Sequence, residues 1–294
     1  MKRFTMLLSL LALAAIMINT GCNKDDDDPV LPTLKLSDAA GYVSGDANAA
    51  YADTLHFGIT ADYNGTDNLV KFQLSLDGTI LVDSTINTAQ FTYDYKGVKN
   101  INDKEVWKFV VVDIAGNTTS DSVVITGDFG EINSYASITL GAQNNATLPG
   151  FVSYTGDTFT PYTIEEAFNH QADIDMFCFY ENTTSHQNMM TMAAPGSGIS
   201  GIFSGDYAPE FYTVQNTTYF VKTSLSASDF DAVSNDAVVL ASFDPENKFR
   251  KAKVLTAGDV YAFKLQSGKF GLFKVIAVTE AEDGNLEFAV KIQK

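Results

Sequence analysis

The chain has 294 residues, with 19 Lys and Arg against 36 Asp and Glu, giving a formal net charge of -17 at pH 7. That balance excludes a nucleic-acid binder, which needs a concentrated basic surface to neutralise phosphates. Hydrophobic residues at 45% and aromatics at 12% exclude wholesale disorder, two Cys exclude a disulfide scaffold, and three His leave little room for a histidine-rich metal centre. The length suits two domains.

Lys2 and Arg3 open the chain, and Met6 to Ile18 is an apolar run too short to cross a bilayer as a helix. The pattern fits the apolar region of a signal peptide. Asn19-Thr20-Gly21-Cys22 follows and resembles a bacterial lipoprotein cleavage box, with Asn19 where that box carries Leu. The resemblance implies a signal peptide over 1–21, lipid on the thiol and amine of Cys22, and a place on the outer membrane at the cell surface. Several acyl chains anchor stably where one alone is marginal. Residues 22–33 read as an acidic tether. Its run Asn23-Lys24-Asp25-Asp26-Asp27-Asp28 resembles the surface-export signal of Bacteroidota lipoproteins. The same run is a self-repelling spacer, and Pro29 and Pro32 end it in extended conformation.

Residues 34–128 read as short strands: Thr54 to Ile59, Leu69 to Leu76, Thr79 to Val82, Gln90 to Tyr95, Glu105 to Val112 and Ser122 to Thr126. Alternation from Val70 to Leu76 leads into Asp77-Gly78, a tight hairpin signal. Regular spacing of this kind predicts a β-sandwich. Val111-Val112-Asp113-Ile114-Ala115-Gly116-Asn117 resembles the last hairpin of bacterial immunoglobulin-like and fibronectin-like modules, which implies an immunoglobulin-like sandwich. Trp107 lies mid-strand and is expected in the core rather than on a sugar platform, and His56 in an apolar strand is expected to be structural. Asp53-Thr54-Leu55, Asp83-Ser84-Thr85 and Asp121-Ser122-Val123 resemble the O-glycosylation acceptor of exported Bacteroidota proteins, implying a glycosylated stalk.

Residues 129–294 read as an α+β domain with a mostly antiparallel sheet, so the whole chain is mainly β. Ser137 to Gly141 is a predicted strand. Thr163-Ile164-Glu165-Glu166 is a capping-box signature that starts a short helix to about His170. Ile174 to Glu181 predicts a strand buried on much of both faces, with Met189 to Ala194 as its partner. Gly196-Ser197-Gly198 is a loop too lean for a phosphate cradle, since no Lys follows. Ser228-Asp229-Phe230-Asp231 opens a second helical stretch, and Ala237 to Phe243 suits helix or strand. The chain ends in a three-stranded meander turned at Ser267-Gly268-Lys269 and Asp283-Gly284-Asn285. Ile174-Asp175, Gly258-Asp259-Val260 and Gly268-Lys269-Phe270-Gly271 together resemble C-terminal regions of Bacteroidota surface lipoproteins described as adhesion-like.

The densest polar cluster is Glu165, Glu166, His170, Asp173, Asp175, Glu181 and His186. Two carboxylates held across a sugar would serve glycoside hydrolysis. Glu165 and Glu166 equally suit a helix first turn, and Asp173 and Asp175 a solvated strand start. No His-Glu-x-x-His, Gly-x-Ser-x-Gly or Cys-x-x-Cys occurs, so no catalytic residue, cofactor or metal ligand is assigned. Asp229, Asp231, Asn235 and Asp236 lack the Gly and distal Glu of a calcium loop, and capping by Ser228 and Asp229 is the simpler account. Cys178 has apolar neighbours and reads as an inert core residue.

These features imply a cell-surface lipoprotein acting as a non-catalytic binding or adhesion module for a glycan or a host or matrix ligand, held out by the sandwich. Tyr154, Tyr162, Tyr207 and Tyr212, where solvent-exposed, are the candidate contacts, because aromatics give much contact area at low entropy cost. Each also suits core or turn packing. The alternatives are a polysaccharide-acting enzyme using carboxylates of 165–181, or a structural component of an outer-membrane complex. Charge is unevenly spread: no Lys or Arg occurs between Lys108 and Lys222, whereas nine basic residues crowd into Lys248 to Lys294. That polarity predicts salt-sensitive self-association or an oriented partner. Sedimentation at high protein concentration should therefore change between low and high salt, and an unchanged value excludes self-association.

Overall fold

The computed structural model describes residues 30–63, 68–183 and 186–294. The residues expected to form a signal peptide, Cys22 and the expected tether up to residue 29 lie outside them. Among the described residues no helix is long and apolar enough to cross a membrane.

Residues 33–127 carry β1 (Thr33–Leu36), β2 (Ala47–Ala49), β3 (Thr54–Asp62), β4 (Leu69–Leu76), β5 (Thr79–Thr88), β6 (Gln90–Val98), β7 (Lys104–Asp113) and β8 (Thr118–Gly127). One sheet has the order β1-β3-β6 and the other β2-β8-β7-β4-β5. All pairs are antiparallel except β2 with β8. The sheets close on one core that takes Phe57 from β3, Phe72 from β4, and Trp107, Phe109 and Val111 from β7. This is the predicted immunoglobulin-like sandwich. Asp77 and Gly78 both have positive φ, 49° and 82°, which gives the hairpin between β4 and β5 the twist its strands require.

Strand β7 shows how alternation builds this core. Glu105, Trp107, Phe109, Val111 and Asp113 are buried in turn along one face. The two acids at its ends are satisfied locally. Asp113 accepts from the backbone N of Asn117 at 2.8 Å and from its Nδ2 at 2.9 Å, so the Asp-x-Ala-Gly-Asn motif is a self-bonded turn. Glu105 accepts from the Trp107 indole at 3.1 Å, Asn100 N at 2.7 Å and Lys99 Nζ at 3.3 Å. Lys99 is itself fully buried, donates to Asn100 O and Asn102 O, and lies 5.0 Å from the centre of the Phe129 ring. Gly97 is fixed sterically, since a Cβ there would lie 2.4 Å from Trp107 Cη2.

The remainder holds β9 (Ile132–Gly141), β10 (Phe151–Thr155), β11 (Thr158–Tyr162), α1 (Ile164–Asn169), β12 (Met176–Thr183), β13 (His186–Ala193), β14 (Tyr219–Lys222), α2 (Ala227–Ala232), α3 (Asp236–Ala241), β15 (Lys251–Lys253), β16 (Val260–Lys264), β17 (Phe270–Thr279) and β18 (Asn285–Gln293). The expected antiparallel pairing is spread over two five-stranded sheets, β11-β10-β12-β13-β15 and β14-β16-β17-β18-β9. Met176 and Cys178 of β12 face the other sheet across a core shared with Phe263, Phe273 and Phe288. Phe177 and Phe179 of the same strand face outward, under α1 and the segment 199–212. The second sheet likewise buries its outer face, under α2 and α3. Cys178 is free and buried, and burial pushes its thiol far above the ordinary range, as expected of an inert core residue.

The helices begin where their caps allow. Thr163 and Glu166 form the predicted capping box of α1. Helix α2 starts earlier than expected, because Ser226 rather than Ser228 caps it: Ser226 Oγ accepts from Asp229 N at 3.2 Å, and Asp229 Oδ2 accepts from Ser226 N at 2.9 Å. Residues 237–241 are helical, capped by Asn235.

Replacing one partner of a buried ion pair leaves the other charged and unpaired. Glu105→Gln should therefore cost about 3 kcal/mol by urea unfolding, through the stranded Lys99 ammonium.

Candidate ligand-binding site

The two C-terminal sheets are joined at one edge by the chain itself. Phe249 pairs with Phe220 of β14, with Phe220 N donating to Phe249 O at 2.7 Å and Phe249 N to Phe220 O at 2.8 Å. Two residues later the chain has become β15 and pairs with β13 of the other sheet. This crossing opens a cavity of about 500 Å³ lined by Phe220, Val221, Lys222, Asn247, Phe249, Arg250, Lys251, Lys253 and Tyr261.

The floor is aromatic and rigid. Phe220 and Tyr261 belong to the core between the sheets, and Tyr261 stacks on Phe273 with ring centres 5.1 Å apart. The Tyr261 hydroxyl donates to Lys253 O at 2.9 Å, and burial pushes its phenol up to about 12. The rim is different. Phe249 is 66% exposed, the largest exposure of any large hydrophobic among the described residues, and Arg250 is also exposed. Lys222 pairs with Asp259 at 2.8 Å. Lys251 and Lys253, on one face of β15, both reach Glu181 of β12 at 3.0 Å. Burial works to raise the Glu181 carboxyl, but the hydrogen bonds from Lys253 and Lys251 outweigh it and hold the group below the ordinary range.

Arg250 is positioned from behind. Its Nη1 donates to Gly196 O at 3.1 Å, and Ser197 Oγ donates to its backbone O at 2.7 Å. A Cβ at Gly196 would lie 2.4 Å from Thr217 Oγ1, so the turn fits only as glycine. The lean loop at Gly196-Ser197-Gly198 is thus a buttress for a cation.

A second cavity, of about 620 Å³, includes Tyr154, Asp157, Asp173, Asp175, Asn216, Gln266 and Lys269 in its lining. Asp175 is 6% exposed and accepts from Tyr154 N at 2.7 Å. Burial pushes its carboxyl up to about 6, with Asp173 adding to the shift and the bond from Tyr154 opposing it. At the mouth, Lys269 at 3.2 Å and the Tyr154 hydroxyl at 3.1 Å hold Asp157 below the ordinary range.

The four tyrosines singled out by sequence lie apart from the cationic pocket. Tyr207 is 40% exposed and packs against Phe168, with ring centres 5.3 Å apart, while Tyr162 is half-buried beside His170. Tyr154 and Tyr212 are buried, the core packing that the sequence left open for each of them. Tyr154 takes an inward position of β10, where alternation sends it into the core between the sheets. Tyr212 follows the turn at Pro209–Phe211 that folds down over Phe177 and Phe203, and its buried hydroxyl has no hydrogen-bond partner.

Of the polar cluster, Asp173 and Asp175 line one cavity, while the His186 side chain lies outside the described residues. Glu166 is bound by Thr163 N and Oγ1, both at 2.9 Å, and Glu165 stands exposed in the same turn. Glu181 belongs to the lysines. Of the residues weighed as a calcium loop, Asp229 caps α2 with Ser226, Asp231 pairs with Lys274, and Asp236 accepts from Gly130 N and Gln293 Nε2. Among the described residues no group of three or more His, Cys, Asp or Glu is placed to hold a metal. Sequence reasoning missed Phe249 and Arg250. The signal was present in Lys248-Phe249-Arg250-Lys251-Ala252-Lys253, a basic run with an aromatic inside an acidic chain.

No family model and no curated protein matches the chain. Among solved structures it is similar to a DUF4466 family protein from Parabacteroides merdae ATCC 43184, at 12% identity and TM-score 0.40, over 90% of this chain and 100% of that one. It is also similar to fibronectin(III)-like modules of Clostridium thermocellum CbhA, at 20% identity and TM-score 0.24, over 34% of this chain and 47% of that one. An engineered protein matches at 14% identity and TM-score 0.24, over 34% of this chain and 20% of its own.

Asp175 has a folded-state value raised from 3.8 to about 6. Its contribution to stability is therefore complete below pH 4 and lost as pH rises through 6. Asp175→Asn keeps an acceptor for Tyr154 N but cannot ionise. Its stability relative to the unaltered chain should improve by up to about 3 kcal/mol between pH 4 and pH 7, measured by urea midpoints at each pH.

Proposed function

We propose that the chain is a non-catalytic binding module held at the bacterial surface by lipid on Cys22, and that it captures glycan in the pocket between β14 and β15. The observation that carries this reading is the exposed Phe249 ring above a floor of Phe220 and Tyr261, ringed by basic side chains. A flat aromatic face stacks on the apolar face of a sugar, and a preformed apolar pocket with a few polar groups at its rim is the usual form of a small-ligand site. The floor loses little entropy on binding, because it is already locked into the core by the Tyr261–Phe273 stack. In this reading the sandwich of residues 34–128 is the spacer.

A polysaccharide-acting enzyme is the second reading, and one observation favours it: Asp173 and Asp175 line one cavity, with the Asp175 carboxyl raised to about 6. Asp175 is tied to the backbone of β10 by the bond from Tyr154 N, an arrangement that also accounts for it as a structural group.

Binding of the purified chain to a glycan array should identify ligands whose affinity falls at least tenfold in Phe249→Ala, with the thermal midpoint unchanged because the ring is exposed. Undiminished binding by Phe249→Ala overturns the site. Release of reducing ends from bound polysaccharide, lost in Asp175→Asn, would instead establish the enzyme.

A further inference from the structure

Resting on that glycan reading, we infer that the pocket selects anionic glycan: sugars carrying carboxylate or sulfate groups, held by Arg250 and Lys222 while the ring stacks on Phe249. Every charged side chain that lines the pocket is basic. The two carboxylates that pair with its lysines, Glu181 and Asp259, are not among the lining residues. Glu181 is buried on the face of β12 that also carries Phe179, and it gathers the ammonium groups of Lys251 and Lys253 there, with Lys251 Nζ 5.8 Å from the Phe179 ring centre; these two lysines add positive charge beside the pocket, and Arg250 and Lys222 are left as its contacts. Four cations against two carboxylates leave the site with an excess of positive charge, in a chain whose formal charge is -17. That excess is local, and it would be an odd place to concentrate basic residues for a neutral ligand.

The donor geometry is specific as well. Arg250 carries five N–H donors in a planar fork, and its side-chain bond to Gly196 O uses one nitrogen. The exposed remainder suits two oxygens of one carboxylate or sulfate. Its backbone is held by Ser197, so the fork is presented from a fixed point beside Phe249. Lys222, 5.7 Å from the centre of the Tyr261 ring, has three donors, and its one salt bridge leaves others for a ligand. The repulsion between an anionic glycan and the acidic remainder of the protein is screened beyond about 8 Å at physiological salt, whereas the pocket cations act at contact.

The test uses the full chain and three probes: an oligogalacturonate, its carboxyl-reduced neutral form, and a chondroitin sulfate oligosaccharide of equal length. Calorimetry should show at least tenfold tighter binding of one or both charged probes than of the neutral one, and the charged arm that binds tells carboxylate from sulfate. Affinity should fall about tenfold between 50 and 300 mM salt, and at least tenfold in Arg250→Gln and in Lys222→Gln. Both residues are exposed, so unchanged thermal midpoints are expected and exclude misfolding. Equal affinity for neutral and charged probes, both lost in Phe249→Ala, overturns the anion inference and leaves the glycan reading standing. Charged binding indifferent to Arg250→Gln and Lys222→Gln overturns the assignment to this pocket. Binding of none of the three overturns the inference, and the array then decides the glycan reading independently.

Discussion

Both faces of each C-terminal sheet are apolar, and most of that half follows from this constraint. Strand β12 sends Met176 and Cys178 to one side and Phe177 and Phe179 to the other, all fully buried. A sheet of this kind needs a cover on each face. The sheets cover each other on the inside, and short capped helices and the 199–212 segment cover the outsides. Polar chemistry is then confined to the edges and ends of the layers. The two cavities described above lie there: one at the β14–β15 edge, the other where the β10–β11 and β16–β17 turns approach.

Charge that enters the interior is compensated at once, because an isolated buried ion costs several kcal/mol. Three acids illustrate this at different depths. Glu105 is matched by Lys99, an indole and a backbone N–H. Asp113 is matched by its own turn. Glu181 is matched by two lysines that remain partly exposed, and this is what turns a buried acid into the base of a cationic rim. Asp175 is the exception, with one backbone donor and an acidic neighbour, and it responds by holding its proton more tightly.

Much of the fold was legible in the sequence because its signals are local. The Asp77-Gly78 turn, the Asp113–Asn117 motif, the Thr163–Glu166 capping box and the final meander each depend on residues within a few positions of one another. The short strands β1, β2, β14 and β15 were not read, and their partners lie far along the chain, β2 pairing with β8 some 78 residues on; the five-residue strands β10 and β11 were not read either, although they pair with each other across a tight turn. For Tyr154 and Tyr212 the sequence left contact and core packing open for a related reason. Exposure is a property of what covers a residue, and their covers come from β18, β9 and the loop over Phe203.

The candidate site divides the same way. Sequence alone determined that the chain is acidic and mainly β, that a sandwich comes first, and that basic residues gather near its end. It could not place them, since a basic run on a solvated loop and one on the rim of an aromatic pocket read alike. Tertiary structure decided between these, by carrying the chain across from Phe249 on one sheet to Lys251 on the other and setting Glu181 underneath. The physical reason is that charge and hydrophobicity are written residue by residue, whereas a pocket exists only where distant strands meet.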